Sequence, residues 1–310
     1  MKRLLIAIAL LVMAGRAWGE GHRLLVADYS TKRIAIIDSS GKMEWEYKID
    51  DLHDLQLLPS GNVLFQTNMT HLVEVEPKSN KVVWEYDAQK MNDDGKRAEV
   101  HAFQRLADGK TMLAESGRAR IIEVNQSGQI VKLIRMTVDH PSTHSDTRLA
   151  RKLENGHYLV AHEADGKVRE YDQKGVVVWE YEVPLFGKEK KGGHGPEAWG
   201  NSLFCALRLA NGNTLVATGN GHGVIEVTPE KEIVWQVSQD ELAGIKLAWV
   251  TTLQVLGNGN IVLGNCHAGK DQPQIVEITR DKKVVWTWKD FERFGNATSN
   301  SWVMESFAPM

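Results

Sequence analysis

A tight turn followed at a set interval by a Val-Val-Trp-like strand recurs six times, and this repetition constrains the fold more than any other feature of the chain. The turns are Ser60-Gly61-Asn62, Asp108-Gly109, Asn155-Gly156, Asn211-Gly212-Asn213 and Asn258-Gly259-Asn260. The matching strand positions are Trp84, Lys132, Trp179, Trp235 and Trp286, 23 residues after the turn glycine in the first four pairs and 27 in the last. A sixth copy runs from His22 to Trp45, with His22 in the glycine slot. A unit of this size cannot bury its own faces and must stack on its neighbours.

Each copy reads as four short strands separated by Gly, Asn and Asp turns, the pattern of an all-β repeat. In the second copy these are Asp54–Leu58, Val63–Gln66, Leu72–Val75 and Val82–Tyr86. Four-stranded sheets repeated six times predict a six-bladed β-propeller. The first copy lacks its first strand, and the segment from Ser299 to Glu305 follows the sixth copy as an orphan. It is expected to complete the first blade, which joins the chain ends and removes an exposed edge. Alternation along the fourth strand places Val82, Trp84 and Tyr86 on one face. The tryptophans then glue blade to blade, and Lys132 should make the third blade pack less well.

Residues 1–19 carry a basic start (Lys2, Arg3), an apolar run from Leu4 to Met13 and small residues before the propeller, which is assigned to 22–310. That is the layout of a signal peptide, too short to span a bilayer. The expectation is an exported monomer, periplasmic or extracellular, with no membrane attachment after cleavage. The net charge of −3, with both signs interspersed, gives no basic stripe for nucleic acid. Cys205 and Cys266 fall at matching heights in adjacent hairpins. Export makes a disulfide chemically feasible, and two free buried thiols are the alternative.

The connections sort into two faces. Turns between first and second strands, and between third and fourth, are short and share one face. Blade-to-blade and second-to-third connections vary in length and share the other, where sites on rigid scaffolds usually form. Eight of the eleven histidines map to the elaborated face. A pocket at the axis is expected there, lined by His53, His101, His144, Arg148, His162, His194, Asn201, His222, Trp249, His267 and Asn300. Its occupant would be a polar or anionic small molecule, a glycan or a protein partner. Imidazoles and carboxylates converge on this mouth, yet no ligand spacing of a metal motif occurs, so no metal and no cofactor is assigned. The alternative is a channel-histidine enzyme on a glycan or sulfate ester (lyase, hydrolase or sulfuryl transferase). His101 or His194 would then be the base and Arg148 would hold an acidic group.

The segments from His53 to Leu64 and from Leu207 to Val216 resemble the PQQ-like (WD40-like) propeller repeats of exported bacterial proteins, over about residues 22–305. That resemblance implies the fold and no bound quinone. The repeats are also similar to the six-bladed propeller of bacterial arylsulfate sulfotransferases. Asn201-Ser202 matches part of that family's His-x-Asn-Ser segment, with Trp199 in the histidine slot. Thr218-Gly219-Asn220 supplies no arginine where the family has one.

Overall fold

The computed structural model describes residues 21–91, 95 and 97–304. The leader segment and the last residues of the assigned propeller lie outside that range. The described residues form six sheets of four antiparallel strands with no α-helix among them. Blade 1 runs from inside outward as Thr298–Val303, Leu24–Asp28, Arg33–Ile37 and Met43–Lys48. The C-terminal segment thus closes the first blade as expected, pairing Leu24 with Val303 and Ala27 with Asn300. Blades 2 to 6 follow in chain order, with inner strands Leu55–Leu57, Glu99–Arg105, Ala150–Lys152, Cys205–Arg208 and Val250–Val255.

The core is divided as a ring requires. Buried apolar residues fall into six clusters, each shared by two neighbouring blades. One of them joins Leu24, Val26 and Ile37 of blade 1 to Val262 and Ile275 of blade 6, so the circle is shut by packing as well as by strand pairing. Cys205 and Cys266 both lie in the cluster between blades 5 and 6 as free, buried thiols.

Simple alternation fails on the outer strands. In blade 2 Val75 pairs with Val82 but Glu74 with Trp84, which leaves Val83 as an extra residue. The same register shift precedes the tryptophan slot in the other five blades. A bulge bends the strand and resets which side chains face inward. Val82 is therefore 39% exposed beside Val83 at 47%, and does not share the buried face of Trp84 and Tyr86.

Each bulge aims its tryptophan at the next blade. Indole N–H groups donate from Trp45 to Asn80 Oδ1 (2.6 Å), from Trp84 to the Gln126 carbonyl (3.1 Å), from Trp179 to Pro229 (2.9 Å) and from Trp235 to Arg280 (2.8 Å). All four acceptors sit in the following blade's turn between third and fourth strands. Arg105, Arg208 and Arg280, each from the following blade, lie over Trp84, Trp179 and Trp235 with guanidinium carbons 4.6, 5.2 and 4.5 Å from the ring centres. The third blade has Lys132 in that slot, its Nζ 5.2 Å from the Tyr158 ring centre. At five junctions a carboxylate on the third strand completes the clasp. Glu74 meets Arg105 (2.7 Å), Glu123 meets Lys152 (2.6 Å), Glu170 meets Arg208 (2.6 Å), Glu226 meets Arg280 and Glu277 meets His22 (2.7 Å). Four of the six blade junctions therefore carry a Lys or Arg ion pair on the short-turn rim, and a fifth carries the His22–Glu277 hydrogen bond.

Candidate functional site

The inner strands of blades 2, 3 and 4 begin in the same register. His53, His101 and Arg148 each stand eight residues before the turn glycine of their own blade. Such equivalence brings three side chains from distant parts of the chain to one height around the axis. The ring centres of His53 and His101 are 4.6 Å apart, and His144, on the loop leading into blade 4, lies 5.2 and 5.1 Å from them. One ring nitrogen from each of the three lies within 4.8 Å of the other two.

Glu99 organises two of these rings. Its Oε2 accepts from His101 Nε2 at 3.0 Å and from His144 Nδ1 at 2.9 Å, and Arg97 pairs with its other oxygen at 2.7 Å. Burial pulls the Glu99 carboxyl upward, but the hydrogen bonds from His101 and His144 win and hold it well below the usual carboxylate range. Nδ1 of His101 lies 2.9 Å from the Thr147 carbonyl and 2.7 Å from Arg148 Nη1. With the proton on Nε2 and donated to Glu99, Nδ1 accepts from the guanidinium. Arg148 itself pairs with Glu163 and donates to the His144 carbonyl. Burial pushes His101 down to about 4 and His53 well below its usual value, so both are neutral imidazoles near pH 7. His53 differs from the others. It is buried, and neither of its ring nitrogens has a hydrogen-bond partner.

A second group comes from the loop between blades 4 and 5 and from blade 6. The His194 ring centre lies 4.5 Å from Trp249 and 5.1 Å from His267. His267 Nε2 bonds the Tyr29 hydroxyl at 3.0 Å, and burial lowers this imidazole to about 4. Trp249 (φ 27°), His222 (φ 53°) and His267 (φ 61°) all hold left-handed backbone, which non-glycine residues rarely adopt. Such outliers gather where the surroundings force a side chain into a set place. The field of His194 also reaches Glu163, so the two groups share one mouth.

Of the other residues named from sequence, most are tied into the scaffold, and Asn300 stays beside His53. His162 is fully buried, with Nδ1 on the Asp146 carbonyl (2.8 Å) and Nε2 on the Tyr171 hydroxyl (2.8 Å). His222 is likewise tied at both nitrogens, to the Ala198 carbonyl and the Trp249 amide. Asn201 donates to the Val183 carbonyl at 3.4 Å. Asn300 donates to the His53 carbonyl at 3.0 Å and keeps an unpartnered Oδ1. Three residues of the mouth escaped assignment from sequence: Asp51, Glu99 and Tyr29. Asp51-x-His53 and Glu99-x-His101 repeat an acid two residues before a histidine in consecutive blades, and in extended chain those positions share a face. That signal was present in the sequence. The Arg148–Glu163 pair left no such trace.

Deeper in the bore, Arg151 of blade 4 grips Asp54 of blade 2 with two bonds of 2.7 and 2.8 Å. Non-adjacent blades can meet only inside the ring, so this pair crosses the channel beneath the histidines.

Comparison with known proteins agrees with this architecture. A protein of unknown function from Bacteroides caccae superposes with a TM-score of 0.74 at 25% identity, covering 90% of this chain and 97% of that one. A streptogramin B lyase (TM-score 0.56, 13% identity, 87% of this chain and 83% of that one) shares the fold. So does a catalytically inactive virginiamycin B lyase from Staphylococcus aureus, solved with quinupristin (TM-score 0.57, 13%, 90% and 87%). The resemblance to arylsulfate sulfotransferases has no counterpart among these structures. No curated protein sequence matches the chain. The family model described as outer membrane protein assembly factor BamB (PQQ_2) matches residues 10–135 and 58–288, and the chain belongs to that family of PQQ-type propellers.

Proposed function

We propose that this protein is an exported, monomeric propeller that binds a polar small molecule or a glycan at the histidine mouth. The observation that carries the reading is His53: a buried imidazole with two orphan nitrogens, set between His101, His144 and Arg148. A buried polar group left unpaired costs on the order of 1–3 kcal/mol, and such a cost is kept where a ligand relieves it. Across the mouth the exposed His194 ring, backed by the buried Trp249, offers a flat face of the kind that packs against a sugar ring. Export is supported by the leader segment and by a family named for the outer membrane.

Isothermal titration with three oligosaccharides of equal length, one uronate-bearing, one sulfated and one neutral, tests the reading. At least one should bind the wild type saturably and lose affinity in both His53→Leu and Trp249→Ala. If none binds, or the variants bind as the wild type does, the mouth is not the binding site. A second reading is favoured by His101, a neutral imidazole held between Glu99 and the Arg148 guanidinium. That is the placement of a general base beside an anion-holding group. Turnover of the uronate-bearing probe, abolished by His101→Gln, would select an enzyme over a binding protein.

A further inference from the structure

We infer that His53, His101 and His144 form a binding site for a divalent transition-metal ion, with Glu99 beside them as orienting carboxylate or fourth ligand. The inference goes deeper into the same mouth and rests on reading that mouth as a binding site. Three imidazoles with a carboxylate are the donor set that zinc and its first-row neighbours prefer.

Three observations carry it. The first is convergence: one nitrogen from each ring lies within 4.8 Å of the other two. Ligands on one tetrahedral ion at about 2.0–2.1 Å stand roughly 3.4 Å apart, so modest ring rotations close the site. His144 has the freedom to supply much of that movement, since its side chain is 56% exposed. The second is the vacant donor: His53 has a lone pair on one nitrogen and a proton on the other, is buried, and spends neither on the protein. The third is the support behind His101. A metal-bound imidazole commonly donates its other N–H to a backbone carbonyl, and the Thr147 carbonyl waits 2.9 Å from Nδ1. In that tautomer Nε2 carries the lone pair and points to where Glu99 Oε2 lies, 3.0 Å away. Without an ion the other tautomer is held, with Arg148 donating to Nδ1 and Nε2–H donating to Glu99.

Charge agrees. Among the described residues Arg148 is paired with Glu163 and Arg97 with Glu99, and Asp51 stands beside them as a further carboxylate. A dication would balance this excess of carboxylate.

The test uses the mature chain, freed of metal with a chelator and then titrated with Zn²⁺ and, for its ligand-field bands, with Co²⁺. Wild type should bind one ion per chain, with Co²⁺ bands of nitrogen and oxygen ligation. His53→Leu and His144→Gln should each weaken binding by about 100-fold or more. His157 follows the Asn155-Gly156 turn on the opposite rim and bonds Glu170 at 2.7 Å, so His157→Gln should leave ion binding unchanged. His144 lies at the surface, so His144→Gln should fold even if the buried substitution does not. Absence of a stoichiometric ion, or binding by His53→Leu and His144→Gln equal to wild type, overturns the proposal. Repeating the oligosaccharide titration on metal-free protein separates the two ideas. Sugar binding without Zn²⁺ binding removes the metal site alone, and Zn²⁺ binding without sugar binding removes the ligand reading alone.

Discussion

The short-turn rim and the long-loop mouth are built from the same six repeats and treat their polar groups in opposite ways. At the rim the third-strand carboxylates Glu74, Glu123, Glu170 and Glu226 each meet a cation of the next blade, Glu277 meets His22, and four indoles find acceptors there. Single atoms at the rim, such as Arg105 Nε and Thr111 Oγ1, are buried unbonded, but at the mouth His53 has no partner on either ring nitrogen, and the hydroxyls of Thr147, Thr251 and Ser299 are unbonded as well. The rim spends its side chains on holding neighbours together. The mouth carries groups that weaken the fold by themselves, which makes sense only if something else satisfies them. The contrast predicts that substitutions at the two ends change stability with opposite sign.

The largest effect should come from the rim. Trp84→Ala removes the indole bond to Gln126, the surface under Arg105 and the packing between blades 2 and 3. The expected loss is about 3–5 kcal/mol, read by denaturant melts. A loss under about 1 kcal/mol would mean the clasp is ornamental.

Next comes His162, which resembles the mouth histidines in sequence but behaves like the rim. Burial lowers its folded pKa to about 4 from 6.5. Between those values the unfolded chain takes up a proton that the folded chain refuses, so stability falls as pH drops through this window. It is fully present above about pH 6.5. The share of one such histidine is roughly 3 kcal/mol. His162→Gln should flatten the stability–pH profile between pH 6.5 and 4 by about that amount. An unchanged slope would show that this ring titrates freely in the fold.

These two residues also show what was legible in the sequence. The 23-residue interval from Gly61 to Trp84 and its copies contained the blade count, and the missing first strand contained the closure by Thr298–Val303. The height of His53, His101 and Arg148 was readable too, because repeat register survives folding. The bulge before each tryptophan was not, since Val-Val-Trp gives the same letters with or without an extra residue. Nor could His162 be told from His53. What separates them is a Tyr171 hydroxyl on one and nothing on the other, and those contacts exist only once the strands have paired. The carboxylates Asp51 and Glu99 stood in plain view two residues before their histidines. The pairing of Glu163 with Arg148 was not legible, because it depends on how the folded blade 4 turns its second strand toward that guanidinium.

A smaller effect, of reversed sign, sharpens the comparison. His53→Leu, measured in chelator and without ligand, should stabilise the protein by about 1–2 kcal/mol, because an unbonded polar ring gives way to an apolar side chain of similar size. It should do so while binding at the mouth is lost. Destabilisation by a similar amount would mean that His53 is satisfied in solution, and the distinction between rim and mouth would dissolve at its clearest point.

The smallest effect concerns the junction where a lysine takes the place of the indole. Lys132 stands in the tryptophan slot of blade 3 and offers an ammonium to the Tyr158 ring in place of an indole. The carboxylate half of the clasp is intact there, since Glu123 holds Lys152 and the Tyr158 hydroxyl. Lys132→Trp would add apolar area against the neighbouring blade but remove that cation from the ring. A net gain of about 0.5–1 kcal/mol is expected, since an exposed cation–π contact contributes no more than that and indole burial exceeds it. A rise in melting temperature would show that the blades are interchangeable at the rim. A fall would show that Tyr158 has already taken the indole's place, so that blade 3 is adapted to its lysine.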